Sequence, residues 1–294
     1  MSSPAAPAAP AAPDPCPATG RPLRVLVCDD NAISQKVAAR LLQQLGCQVA
    51  VAASGREALA RLEENPCDLI FMDVMMPEMD GLEATREIRL RQKDVARYPN
   101  YTSRIAIVAM TAGAMSDDRE KCFEAGMDDY LAKPVRLEGV RSMVERWGAP
   151  PVVEVAASTQ TSVAPPGPAD SPAEATTPPV DLARLRELTD DTPAGVAELV
   201  DLYLEQTTTQ MEQLAEAIRT GQADSVRRVA HSSAGSSATC GVTELVPLLR
   251  QMEHLGREQN LAGAEQLLDA AEREFARVRS FLAPYTGSAT GLAS

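Results

Sequence analysis

Residues 68–81 read DLIFMDVMMPEMDG, and the order of side-chain types along this stretch decides the fold. Leu69, Ile70, Phe71 and Met72 follow one another without polar alternation, the pattern of a parallel strand buried on both faces. Asp73 is delivered at the end of that run, Pro77 and Gly81 break it, and Asp80 is placed to cap a helix beginning near Leu82. In open α/β sheets, ligand sites form beside the C-terminal ends of strands. A lone turn carboxylate is more often a solvated charge, so the case for Asp73 rests on partners elsewhere in the chain.

Outward from this stretch, strand and helix alternate five times. Strands are predicted at 24–28, 48–53, 69–73, 104–110 and 128–132, and helices at 33–45, 56–64, 82–90, 117–125 and 137–147. Five such units imply a doubly wound, five-stranded parallel sheet. Parallel strands place their C-terminal ends on one edge, which gathers Asp29, Asp30, Asp73, Thr111 and Lys133. Three carboxylates in a small space repel one another, and a hard divalent cation, most simply Mg²⁺, relieves that repulsion. The ion also neutralises phosphoryl oxygens, so that Asp73 can approach phosphorus while Lys133 and the Thr111 hydroxyl bind the remaining oxygens.

These residues resemble the receiver domain of two-component response regulators, a flavodoxin-like fold. The resemblance is carried by the acidic pair in VLVCDD, the run MDVMMPEMDG, the hydroxyl in VAMTAGAM and the lysine and proline of AGMDDYLAKP, and it covers the unit from Arg24 to Trp147. It implies that Asp73 is the phosphoacceptor. It further implies that Asp29, Asp30 and the backbone carbonyl of Met75 join Asp73 in binding Mg²⁺, and that Thr111, Tyr130 and Lys133 respond to phosphorylation. Met75, Ala112 and Gly113 offer few polar groups to orient an attacking water, so slow self-hydrolysis is expected.

Beyond residue 180 the period is helical only. Leu182, Leu185 and Leu188 mark a short helix, and four longer amphipathic helices follow, ended by Gly221, Gly241 and the region before Leu261. They are expected to pack as an antiparallel four-helix bundle. Of the two histidines, both expected towards solvent beside the apolar stripe, His231 stands out because Gly235 shares its face and Ser232, Ala234 and Ala238 are small. A mid-helix glycine costs about 1 kcal/mol relative to alanine, and close approach of a partner surface would offset that. His254, between Glu253 and Arg257, reads as an ordinary surface residue.

The segment from Ala230 to Gly241, AHSSAGSSATCG, resembles the core of a histidine phosphotransfer (HPt) domain, which implies that His231 carries phosphate on an imidazole nitrogen. The family usually has lysine three residues after the histidine, where this chain has Ala234. Arg227 or Arg228, one turn before His231, is the candidate for the missing positive charge and for docking.

The organisation expected is therefore a Pro/Ala-rich disordered tail at 1–20, a receiver unit at 21–148, a Pro-rich flexible linker at 149–179, a phosphotransfer bundle at 180–286 and a short tail at 287–294. The net charge of −13 disfavours direct nucleic-acid binding and attachment to an acidic membrane surface. No apolar run reaches the roughly 18 residues of a span, and the N-terminus lacks a signal-peptide core, so a cytoplasmic location is expected. Six cysteines without zinc spacing read as buried free thiols. With no Gly-rich ATP-binding segment, the chain reads as a phosphorelay intermediate, not an enzyme. A sensor histidine kinase or other phosphodonor protein stands before it and a downstream receiver domain after it. The competing reading is a phosphorylation-switched scaffold whose bundle only docks a partner.

Overall fold

The computed structural model describes residues 21–101, 105–111, 116–148, 178–189 and 192–287. The expected tail at 1–20, the linker up to residue 177, residues 288–294, Arg104 at the expected start of the fourth strand, and Ala112 and Gly113 after Thr111 lie outside them.

Asp68 opens the third strand and turns its carboxylate back onto the first, accepting from the Arg24 backbone at 3.0 Å and its guanidinium at 2.7 Å. The strands are β1 (Arg24–Cys28), β2 (Gln48–Ala52), β3 (Leu69–Asp73), β4 (Ala106–Thr111) and β5 (Asp129–Ala132), in the order β2-β1-β3-β4-β5. Every pairing is parallel. All five residues of β3 are buried, as its unbroken apolar run requires. Helices α1 (Ala32–Gln44), α2 (Gly55–Glu64), α3 (Gly81–Arg91), α4 (Ser116–Ala125) and α5 (Leu137–Trp147) connect and follow the strands. One sheet face packs Val27, Phe71 and Val108 with Ile33 and Leu42 of α1 and Val140 of α5, and the other packs Ile70, Met72 and Ile107 with Leu62 of α2 and Ile88 of α3. Each such side chain contributes about 1.5–3 kcal/mol by leaving water.

Local chemistry fixes where the helices start. Asn31 caps α1, its side-chain oxygen accepting from the N–H groups of Ile33 and Ser34, and Asp80 caps α3 by accepting from Glu83. A Cβ at position 81 would lie 2.0 Å from the Asp73 carbonyl oxygen, so only glycine lets α3 begin against the end of β3. The sheet order reverses between β1 and β3, which makes the edge beyond Cys28 and Asp73 the topological switch point.

The C-terminal region comprises α6 (Leu182–Glu187), α7 (Pro193–Arg219), α8 (Ala223–Thr239), α9 (Leu245–Arg257) and α10 (Ala264–Leu282). Helix α7 packs on α8, α8 on α9, α9 on α10, and α10 returns to α7, closing a ring of four long helices. Tyr203, Leu214, Val226, Ala230, Leu249, Met252 and Val278 fill its interior. Helices α8 and α9 approach closely at Gly256, where a Cβ would sit 2.6 Å from both the Ala223 carbonyl oxygen and the Arg227 nitrogen. The segment entering the bundle is fastened to the turn after α8: Val180 bridges Val242 and the Asp181 N–H donates to the Gly241 carbonyl at 2.9 Å. The five described cysteines are buried and outside any disulfide, and Cys16 lies outside the described residues. Among the described residues no helix is long and apolar enough to cross a membrane.

Candidate functional site

The acidic pair follows β1, Asp73 ends β3, Thr111 ends β4 and Lys133 follows β5, so the parallel sheet brings these side chains to one edge. Carboxylate oxygens of Asp29, Asp30 and Asp73 all lie within 4.8 Å of one another. Asp29 and Asp73 are buried and Asp30 is partly buried. The Lys133 ammonium stands between two of them, 2.7 Å from Asp29 Oδ2 and 2.7 Å from Asp73 Oδ2. Asp29 Oδ1 accepts from the Asn31 N–H at 3.0 Å, whereas Oδ2 is buried with the Lys133 ammonium as its neighbour.

Burial, then the charges of Asp73 and Asp29, push the Asp30 carboxyl up to about 7. Burial also raises Asp29, against the opposing pull of Lys133. Burial works against the Lys133 ammonium, but the charges of Asp29 and Asp73 outweigh it and its pKa is raised. Three acids share one lysine, and the site holds more negative charge than that cation neutralises. The ligand atoms are hard oxygens from three clustered carboxylates, which fits Mg²⁺ or a similar hard cation.

The other receiver-like residues take defined places. The Met75 N–H reaches Asp73 Oδ1 at 3.4 Å. Thr111 is partly exposed, and its carbonyl accepts the Lys133 N–H at 2.7 Å, which ties the end of β4 to the lysine. Tyr130 is partly buried, with the Arg119 guanidinium 4.4 Å from its ring centre.

His231 departs from expectation. It is only 8% exposed, because burial comes from elements other than its own helix, whereas His254 has the exposed side chain expected of it. His231 Nδ1 lies 2.8 Å from Glu253 Oε1 on α9, and the other carboxylate oxygen, Oε2, accepts from Arg250 at 2.6 Å. Burial alone would raise Glu253, but the bonds and charges of His231 and Arg250 outweigh it and bring the carboxyl down to about 2. An ionised carboxylate only accepts, so Nδ1 carries the hydrogen and Nε2 keeps the lone pair.

Glu253 and Arg250 were not singled out by sequence reasoning. A signal existed: Glu253 is four residues after Leu249 and eight after Leu245, on the apolar stripe of α9, where an acid needs a partner.

Ala234 is fully buried, so no cation can stand there without rearrangement. Of the two candidate arginines, Arg227 extends to 3.8 Å from the Met75 sulfur, while Arg228 lies beside Ser225. A Cβ added at Gly235 would meet nothing within 4 Å, so close approach at that position is not used in this arrangement. A cleft of about 780 Å³ is lined by Asp73, Met75 and Thr111 from one side and Arg227, His231 and Glu253 from the other.

Residues 25–145 match the response regulator receiver domain and residues 198–281 the Hpt domain. Over 269 residues, 90% of this chain, the sequence is 29% identical to the sensor protein GacS of Pseudomonas syringae pv. syringae, of which 28% is covered. Over 128 residues, 42% of this chain, it is 38% identical to the hybrid signal transduction histidine kinase L of Dictyostelium discoideum, of which 7% is covered. The chain thus spans less than a third of these curated relatives. Similar solved structures include the co-crystal of the Saccharomyces cerevisiae histidine phosphotransfer signaling protein Ypd1 with the receiver domain of its downstream response regulator Ssk1. That match has 32% identity, covers 43% of this chain and 89% of that one, and has a TM-score of 0.40. Another is the receiver domain of a Pseudomonas aeruginosa PAO1 sensor histidine kinase with magnesium in its active-site cleft, at 38% identity, 44% and 100% coverage, and a TM-score of 0.38.

Proposed function

From a receiver domain over residues 25–145 and an Hpt domain over residues 198–281 carried on one chain, we propose a phosphorelay intermediate that accepts a phosphoryl group on Asp73 and carries it onward on His231. The upstream partner is a sensor histidine kinase or another phosphodonor protein, and the downstream partner is a receiver domain. Asp29, Asp30, Asp73 and the Met75 carbonyl would hold Mg²⁺, which when bound neutralises the phosphoryl oxygens. Asp73 supplies the attacking carboxylate oxygen, and Lys133, already 2.7 Å from it, neutralises charge on the transferring group. Thr111, at the end of the neighbouring strand, binds a further oxygen.

The observation that carries the reading is the His231–Glu253 pair. With Nδ1–H held by a carboxylate, Nε2 is the nucleophile, and the positive charge that develops on the ring when Nε2 bonds phosphorus is stabilised by Glu253. A bundle that served only as a scaffold has no need of a carboxylate that holds the ring in one tautomer, and burying that carboxylate is costly. The test is phosphorylation with a small acyl-phosphate donor, separating base-labile aspartyl from acid-labile histidyl phosphate. The relay gives both signals in the natural chain, aspartyl alone in His231→Gln, and neither in Asp73→Asn. Aspartyl phosphate without any histidyl phosphate in the natural chain would leave the scaffold reading standing.

A further inference from the structure

We propose that the two domains of this chain are each other's phosphotransfer partners: α8 seats on the N-terminal end of α1 with His231 facing Asp73, in a register set by Asn31, and phosphate passes within one molecule. This rests on the relay reading above. It adds the partner and the residues that select it.

Asn31 is the centre of the argument because its two ends are committed differently. Its Oδ1 is occupied by the N–H groups of Ile33 and Ser34 at 3.0 and 3.1 Å, which fixes the amide and leaves only Nδ2 facing outward. That nitrogen donates to the Ser232 carbonyl at 3.1 Å and lies 3.2 Å from Ser232 Oγ, one residue beyond His231. Gln210 of α7 also reaches Ser232 Oγ at 3.2 Å, so the serine is held from both sides. The residue that follows the acidic pair is thus bonded to the residue that follows the histidine, which brings His231 to the sheet edge where Asp29, Asp30 and Asp73 gather.

Contacts on three sides of this centre agree with the same seating. Arg227 carries its guanidinium to the Met75 sulfur, on the loop that follows Asp73. Lys36 of α1 pairs with Glu198 of α7 at 2.5 Å, and Arg184 of α6 donates to the Val135 carbonyl at 2.9 Å, two residues beyond Lys133. The exposed Lys36–Glu198 pair adds little affinity, but the buried amide and the guanidinium–carbonyl bond are directional and do not tolerate a shifted register.

In the transfer step the His231 Nε2 lone pair forms the N–P bond, the P–O bond to Asp73 breaks, and the electron pair returns to the Asp73 carboxylate. No proton moves, because Nδ1–H stays on the ring against Glu253. Arg227, at the rim of the shared cleft, supplies the cation that Ala234 lacks.

The two domains are carried on one chain, and covalent joining of two partners that can dock gives an effective concentration near a millimolar. At about 1 µM protein, the intramolecular route therefore outruns encounter by about 10³-fold. The experiment uses the full chain loaded at Asp73 with a small acyl-phosphate donor, following histidyl phosphate across a hundredfold dilution. A half-time that stays constant, with a mixture of Asp73→Asn and His231→Gln chains at least about a hundredfold slower at 1 µM, supports the proposal. Asn31→Ser keeps a capping oxygen but loses the reach to Ser232, so the ratio of histidyl to aspartyl phosphate falls early in the reaction. Histidyl phosphate that forms at a rate proportional to concentration overturns the intramolecular route while leaving the relay intact. Histidyl phosphate that never forms, even at the highest concentration, overturns both.

Discussion

Glu253 is 5% exposed and ionised, and it is held by Arg250 one turn earlier on α9 and by the Nδ1–H of His231 on α8, a partner that the pattern of α9 does not announce. Because its pKa is depressed from an ordinary 4.5 to about 2, its contribution to stability is fully present above pH 4.5 and is lost as pH falls towards 2. Glu253→Gln, which keeps an acceptor but no charge, should be less stable than the natural protein at pH 6, with the gap closing between pH 4.5 and 2; urea melts at several pH values measure this. At the acidic edge the sign is reversed. Asp73 adds a third charge to a crowded group, so Asp73→Asn should raise the melting temperature of the metal-free protein by about 2–4 °C, and Mg²⁺ should stabilise the variant less than the natural chain. Calorimetry with and without Mg²⁺ checks both. Asp29, Asp30, Asp73 and Lys133 were legible in the sequence because strand order alone delivers them to one edge. Glu253 was not, since α9 brings it to His231 only through tertiary packing, 22 residues along the chain.

Helices α8 and α9 owe their spacing to Gly256. Gly256→Ala would push a methyl group into the α8 backbone at Ala223 and Arg227, and overpacking of this kind costs about 1–3 kcal/mol. Because the same displacement lifts Glu253 from His231, histidyl phosphate should also form more slowly, read by the acid-labile signal at a temperature where the variant is folded. Gly235 is the contrasting case. With open space around it and a mid-helix position, Gly235→Ala should stabilise the bundle by about 0.5–1 kcal/mol, and transfer from Asp73 should proceed unchanged if the seating on α1 is the productive one. The elements themselves were readable: unbroken apolar runs gave the strands, and β3 and α5 have the expected bounds. What periodicity within one helix does not report is burial imposed from outside. His231 lies beside the stripe of α8, yet it is buried with Glu253 of α9 bonded to its ring, and a wheel drawn on α8 alone turns it towards solvent.

At the scale of the whole molecule, the change of period near residue 180 located two units in the sequence, while their mutual seating came from contacts no periodicity encodes. Asn31 was not singled out in the sequence, where Ser232 was only a small neighbour of the histidine, and only the assembled chain joins them. If a tether sustains that seating, cleaving it at a protease site inserted within residues 149–177 should leave both domains folded yet make histidyl labelling depend on concentration. At about 1 µM the initial rate should fall by about 10³-fold, measured on the cleaved and uncleaved protein side by side.

The returning chain does not lead directly into α7. Val180 and Asp181 are first pinned to Val242 and Gly241 at the far end of α8. From Thr239 to His231 is eight residues, about 12 Å along the helix axis. Mechanically, α8 is an arm held at two places: the Asn31–Ser232 bond beside the histidine, and Val180 and Asp181 at its other end. A displacement of Val180 and Asp181 would therefore act first on the end of the histidine-bearing helix, which would pass it along its axis to the His231 ring.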